Sequence, residues 1–272
     1  MTKIGWYTHH IQNDPNVAHS GAQGQESVSS GLFSGRFAGG AEMSDYDYQQ
    51  QAPLGFQISI VTPDTFHTHD IHSFDSVVVT GTDAFSDDQL NQLSKSDPFV
   101  FVHHLQMPRA SLENLINGSR LFVTHTPAHM ARELLWTNPR KTAQVLSYFD
   151  TSKIHDDGYK HPFALWAARS HPLKGQLKAH QWAINAGYEF KSLTNVPREQ
   201  VLDAMAFSEW FVHLPLGFES ECRAVMEAVL SGCKIHTNDN VGITSVEDWN
   251  DSDHLRNMID KAGDTFWRLV QQ

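Results

Sequence analysis

The chain has 272 residues and a formal net charge of −11, with 31 Asp/Glu against 20 Lys/Arg. That length suits two smaller α/β domains better than one compact layer. With 40% apolar and 19% charged residues an ordered globular protein is expected, and the acidity excludes a protein that coats nucleic acid by bulk charge.

The opening residues, Met1-Thr2-Lys3-Ile4-Gly5-Trp6, run directly into a strand at 3–8. No apolar core of signal-peptide length stands there, and no stretch approaches a membrane span, so a cytoplasmic protein is expected. Residues 12–37 are rich in Gly, Ser, Gln and Asn, without usable periodicity; a loop that long inside a domain is usually functional or mobile. A helix at 41–52 stops at Pro53, and strands follow at 56–62 and 76–80. Next come a helix at 86–94, a strand at 99–103, a helix at 110–116 ended by Asn117-Gly118, a strand at 120–124 and a helix after Pro127. Residues 138–162 mix Pro, Gly, Asp and Lys and read as a linker. Beyond it the pattern restarts: strand 163–168, helix 174–186, strand 188–191, helix 197–207, strand 210–214, helix 220–231, strand 234–237 and a closing helix at 253–270. Apolar runs alternating with helical patterns predict parallel α/β architecture, with the ligand at the carboxyl ends of the strands. Cys222 and Cys233 read as small buried hydrophobes rather than a disulfide pair.

Two sets of residues carry chemistry. Glu219 and Glu227 stand eight positions apart around the expected start of a helix, near Ser220, Glu221 and Cys222, with Gly217 easing the turn. Unpaired N–H groups and the positive dipole end at such a start suit a diphosphate. A helix rise of about 12 Å over eight residues matches the span from a hexose to a nucleotide ribose. Arg169 and Lys174-Gly175 set two cations around another helix mouth, where they can neutralise a leaving phosphate. The four side chains together describe a pocket for a nucleotide sugar. A solvated helix face and an ordinary helix-start turn remain the plain alternatives.

In order, Arg169-x4-Lys174-Gly175, Glu219-x7-Glu227-Ala228 and Gly232 resemble the C-terminal domain of retaining GT-B glycosyltransferases of the family 4/family 1 type. Gly39-Gly40-Ala41-Glu42 is similar to that family's glycine-rich helix start, and Val100-Phe101-Val102-His103-His104 to its strand ending in histidine. Residues 147–154, beginning Ser147-Tyr148-Phe149-Asp150, resemble its hinge. Short loops and a lean linker make the chain look like the compact members that large bacteriophages encode. The resemblance implies an α/β GT-B fold of two Rossmann-like domains facing across a cleft: residues 1–150 for the acceptor, residues 151–272 for the nucleotide sugar, and a closing helix packed back toward the first domain. It implies that Arg169 and Lys174 hold the diphosphate, Glu219 the donor sugar and Glu227 the ribose. The co-substrate is expected to be a UDP-sugar, with no metal and no further cofactor. Two departures stand out: Ser220-Glu221-Cys222 replaces the family's Gly-Phe-Gly, and Ser147-Tyr148 replaces the hinge Asn-Gly.

His103 and His104 are expected at a strand's carboxyl end, positioning the acceptor or touching the donor sugar, with packing as the alternative. Gly39 and Gly40 either bring backbone near the phosphates or let a helix approach the first strand. His67-Thr68-His69-Asp70-Ile71-His72 has metal-like spacing without a second cluster and reads as a surface loop. Asp45-Tyr46-Asp47 falls on an expected helix, not at the strand end a metal-binding Asp-x-Asp needs. For the acceptor, residues 132–178 hold eight Lys/Arg against four Asp/Glu, which fits double-stranded DNA carrying 5-hydroxymethylpyrimidines. A saccharide or lipid of envelope synthesis is the alternative, and a non-catalytic nucleotide-sugar-binding module a third reading.

Overall fold

The computed structural model describes residues 1–8 and 40–272. The expected loop at 12–37 and Gly39 lie outside the described residues. Two compact units divide the chain: residues 1–8, 40–148 and 262–272 form the first, residues 149–261 the second.

The first unit is built on six parallel strands: β1 (Thr2–Tyr7), β2 (Phe56–Val61), β3 (Ser76–Val79), β4 (Phe99–Phe101), β5 (Leu121–Thr124) and β6 (Thr142–Gln144), in the order β2-β1-β3-β4-β5-β6. Successive side chains of a strand point to opposite faces, so β3 sends Val77 and Val79 one way and Val78 the other. Tyr7, Val77, Val79, Val100 and Phe122 pack under α2 (Asp87–Leu93), α3 (Ala110–Gly118) and α4 (Pro127–Glu133). On the other face Trp6, Val78, Phe101 and Val123 pack with Tyr48 of α1 (Gly40–Gln50) and with Phe266 and Trp267 of α8 (Ser252–Val270). Phe266 stacks on Tyr48 with ring centroids 4.3 Å apart, and Trp267 Nε1 donates to the Tyr48 carbonyl at 2.9 Å. Burying each such ring stabilises the unit by about 2–3 kcal/mol. Helix α2 begins where a reciprocal cap supplies its first turn: Ser86 Oγ accepts from Gln89 N–H, and Gln89 Oε1 from Ser86 N–H.

β6 corrects the sequence reading, for it lies inside the stretch expected to be linker. Its three residues, Thr-Ala-Gln, pair with β5 at the sheet edge and are largely exposed, so they give no apolar signal.

The second unit has four parallel strands, β7 (His161–Ala168), β8 (Glu189–Thr194), β9 (Ser208–His213) and β10 (Lys234–Thr237), in the order β10-β9-β7-β8. The connecting helices are α5 (Gln176–Asn185), α6 (Arg198–Phe207) and α7 (Arg223–Leu230). The chain leaves β7 to one side for β8 and returns on the other for β9. The strand order therefore reverses between β7 and β9, and the carboxyl ends there are the place where sheets of this kind form a ligand crevice. Among the described residues, no helix is long and apolar enough to cross a membrane.

Candidate functional site

The crevice of the second unit is framed by the loops after β7 and β9. After β7 the chain makes a 3-10 turn at Pro172–Lys174 and reaches Gly175 at φ +75°. A Cβ there would lie 1.9 Å from the Leu214 carbonyl oxygen, so only glycine lets the two loops approach this closely. Leu216 N–H donates to the Leu173 carbonyl at 2.8 Å, and Trp166 Nε1 donates to the Lys174 carbonyl at 3.1 Å. The backbone of Lys174 is therefore fixed from two directions.

Glu219 is held by a short backbone pairing. Its N–H donates to the Asn240 carbonyl and its carbonyl accepts from Gly242 N–H, both at 2.7 Å. That pairing explains why α7 starts at Arg223 and not at Ser220 as expected: residues 219–221 are tied to the segment after β10. The Glu219 carboxylate meets His213 Nε2 at 2.8 Å through Oε1 and Lys174 Nζ at 3.2 Å through Oε2. Burial opposes its ionisation, but the hydrogen bond and charge of His213, with the charge of Lys174, outweigh that and bring its pKa down to about 2. A carboxylate only accepts, so the network places the proton on His213 Nε2. Lys174 keeps 34% of its side chain exposed, Glu219 16% and His213 only 2%; the cation faces solvent and the histidine backs the site.

Ser220 and Glu221 are buried in the same loop, and Cys222 caps α7 at φ +73°. Burial and the neighbouring Glu219 carboxylate push the Cys222 thiol well above its ordinary range. His213, Glu219 and Cys222 bring one ligand-type atom each within 4.8 Å of one another. Those are donor types that zinc accepts, but Lys174 Nζ already stands on Glu219, and a cation there opposes a metal.

Glu227, one turn into α7, is 5% exposed. Its Oε1 receives Arg198 Nε at 2.8 Å and Arg223 Nε at 2.9 Å, and Arg198 Nη2 lies 2.7 Å away. Phe149 lies beneath both guanidiniums, 4.4 Å from that of Arg223 and 5.7 Å from that of Arg198. The sequence reading missed His213, Arg198 and Arg223. A signal existed for the arginines: each is the first residue of its helix, where the dipole disfavours a cation.

Arg169 is exposed directly after β7. Gly40 is the first residue of α1, in the first unit. His103 lies two residues beyond β4 and its side chain is 1% exposed: Nε2 faces Asp45 Oδ1 at 2.7 Å and Nδ1 faces His125 Nε2 at 3.0 Å, the surroundings that the packing alternative describes. Asp45 also accepts from Thr8 and Thr80 hydroxyls, each at 2.8 Å. His104 is half-exposed and meets Asp83 at 2.6 Å. His67, His69 and His72 lie along two exposed 3-10 turns.

No protein-family model matches the chain. No curated protein matches it in sequence. Solved structures do match in fold. A sucrose-phosphate synthase from Thermosynechococcus elongatus aligns with TM-score 0.61 at 11% identity, over 100% of this chain and 94% of that one. Anabaena Alr3699/HepE in complex with UDP gives 0.58 at 13%, covering 100% and 95%. A glycosyltransferase from Rickettsia africae gives 0.57 at 9%, covering 99% and 93%. The parallel α/β units and these neighbours define the fold as that of the GT-B glycosyltransferases.

Proposed function

We propose that this chain is a retaining glycosyltransferase moving a sugar from a nucleoside diphosphate sugar, a UDP-sugar first, to an acceptor hydroxyl. The observation that carries the reading is the gathering of Lys174, Glu219 and His213 at the carboxyl ends of β7 and β9 in a GT-B fold. The solved UDP complex of HepE, a neighbour in fold, supports a uridine nucleotide as the first donor to test.

In this reading Lys174 and Arg169 take the diphosphate, Glu219 receives hydroxyls of the donor sugar, and Glu227 the ribose diol. Ser220, Glu221 and Cys222 shape the loop around the sugar. The bond from sugar C1 to the phosphate oxygen breaks, and C1 bonds the acceptor oxygen on the same face. The acceptor proton leaves on the departing nucleoside diphosphate, and no metal takes part. Stabilising charge on that phosphate contributes about 3 kcal/mol per donor. The donor diphosphate replaces Glu219 as the partner of Lys174, which frees a carboxylate oxygen for the sugar.

The acceptor to test first is the 5-hydroxymethyl group of a pyrimidine in DNA, supported by the basic segment 132–178. Its target base would leave the stack to reach the site. The deciding experiment incubates the protein with UDP-, GDP- and ADP-sugars and hydroxymethylcytosine or hydroxymethyluracil DNA, read by nucleoside mass spectrometry. Glycosylated nucleoside with the donor's anomeric configuration is expected, unchanged by excess chelator. Donor turnover onto a saccharide or lipid alone would move the acceptor. No transfer or hydrolysis of any donor would end the enzymatic reading, and loss of activity in chelator would restore His213, Glu219 and Cys222 as a metal site.

A further inference from the structure

The Arg198–Glu227–Arg223 group sets two cations against one anion on elements far apart in sequence. Arg198 begins α6, Arg223 begins α7, and Phe149 at the start of the second unit floors both guanidiniums. Each placement runs against a local preference. A cation at a helix N-terminus opposes the dipole, and an arginine four residues before a glutamate is the weaker order of a helical pair. Local stability therefore gives a poor account of this arrangement.

Its geometry is also one-sided. Both guanidiniums converge on Oε1, while Oε2 accepts no hydrogen bond from the described residues. Two guanidiniums on one oxygen, with an aromatic floor, restrict the carboxylate's rotation and leave its second oxygen to accept from a ligand. Such a carboxylate is preorganised to accept from a vicinal diol, because its own reorientation is already restricted before the ligand arrives.

We propose that Arg198 and Arg223 are positioning residues that orient Glu227 toward the ribose hydroxyls of the donor nucleotide, making recognition of the diol depend on two arginines that do not touch the sugar themselves. The proposal rests on the nucleotide-sugar reading above and adds to it a prediction about ribose alone.

The test is calorimetric binding of UDP and of 2′,3′-dideoxyuridine diphosphate to the full chain, its Arg198→Ala and Arg223→Ala variants, and Arg198→Lys, with GDP and ADP measured on the wild type as well. The wild type is expected to prefer UDP. Each alanine variant should lose about tenfold in UDP affinity, the scale of one charge-assisted hydrogen bond, while dideoxyuridine diphosphate affinity changes less than twofold. Arg198→Lys, which keeps the charge and loses the fork, should fall between, and it decides the matter if an alanine variant does not fold. Equal losses for both nucleotides, or no loss for either, would overturn the positioning role and leave the nucleotide-sugar reading standing. A wild type that binds UDP no better than its dideoxy analogue overturns the diol role of Glu227 with it. A wild type that binds none of UDP, GDP and ADP overturns the nucleotide-sugar reading itself.

Discussion

Among the described residues, two pairs of a buried histidine with a carboxylate stand at carboxyl ends of parallel strands, one in each unit. His103 meets Asp45 at 2.7 Å and His213 meets Glu219 at 2.8 Å, so distance does not separate them. Surroundings do. Asp45 accepts from Thr8, Thr80 and His103 with its side chain fully buried. Such a pair is saturated, and it holds α1 to the ends of β1 and β3. Glu219 shares its carboxylate with Lys174, whose side chain stays one-third exposed, and a diphosphate can compete for that cation. A histidine at a strand end is thus no guide to reactivity until its partner's remaining valences are counted.

The largest effect that would break this comparison belongs to the second unit. Lys174→Ala should cut transfer by about a hundredfold, the loss of roughly 3 kcal/mol from one charge-stabilising donor, whereas His103→Gln should leave the initial rate within a few-fold in folded protein. Steady-state rates of nucleotide release check both, and wild-type turnover in Lys174→Ala would remove the reactive centre from this crevice. Next in size, Gly175→Ala should cost about 2 kcal/mol or more, because strain and the Leu214 carbonyl both oppose a Cβ. Urea unfolding would read it, and an unchanged midpoint would show that the loops are not held together. Asp45→Asn should lower stability by about 1–3 kcal/mol by leaving buried donors ill-matched, with its effect seen in melting of the first unit.

The smallest effect is the pH dependence. Burial and the neighbouring His103 and His129 keep His125 well below the ordinary histidine value of 6.5. The unfolded chain therefore binds more protons than the native one below 6.5, and the stability His125 contributes falls on acidification through that value. Glu219 behaves differently: its pKa of about 2 lies below the ordinary 4.5, so its contribution is fully present above 4.5 and is lost only as pH falls toward 2. Stepwise acidification followed by hydrogen exchange should loosen the region around His125 before the Glu219 loop. The reverse order would undo the contrast between the two pairs.

Much of the fold is legible in sequence because its central strands, β1, β3, β4 and β5 of the first unit and β7 of the second, are largely buried. Val77-Val78-Val79 and Phe99-Val100-Phe101 admit no other reading between turn-rich segments. β6 escapes because three half-polar edge residues carry no apolar signal. The site is legible in part. Lys174 and Glu219 meet through Gly175 and the approach of two loops, a spacing that the glycine foreshadows. His213 looked like the end of an apolar strand, and nothing near it in sequence announces the carboxylate six residues on. Arg198 and Glu227 lie 29 positions apart, so their pairing needed three dimensions.

Cys222 has a consequence of another kind. A β-carbon at φ +73° costs about 1 kcal/mol relative to glycine. The chain therefore carries a small standing debt of stability at the rim of its crevice, where a thiol replaces the residue that would relax the backbone. A glycine would return that strain as tighter folding and surrender the side chain beside Glu219. The loop is thus a place where backbone stability and the side chain set beside Glu219 pull in opposite directions, so a more stable protein need not be a more active one.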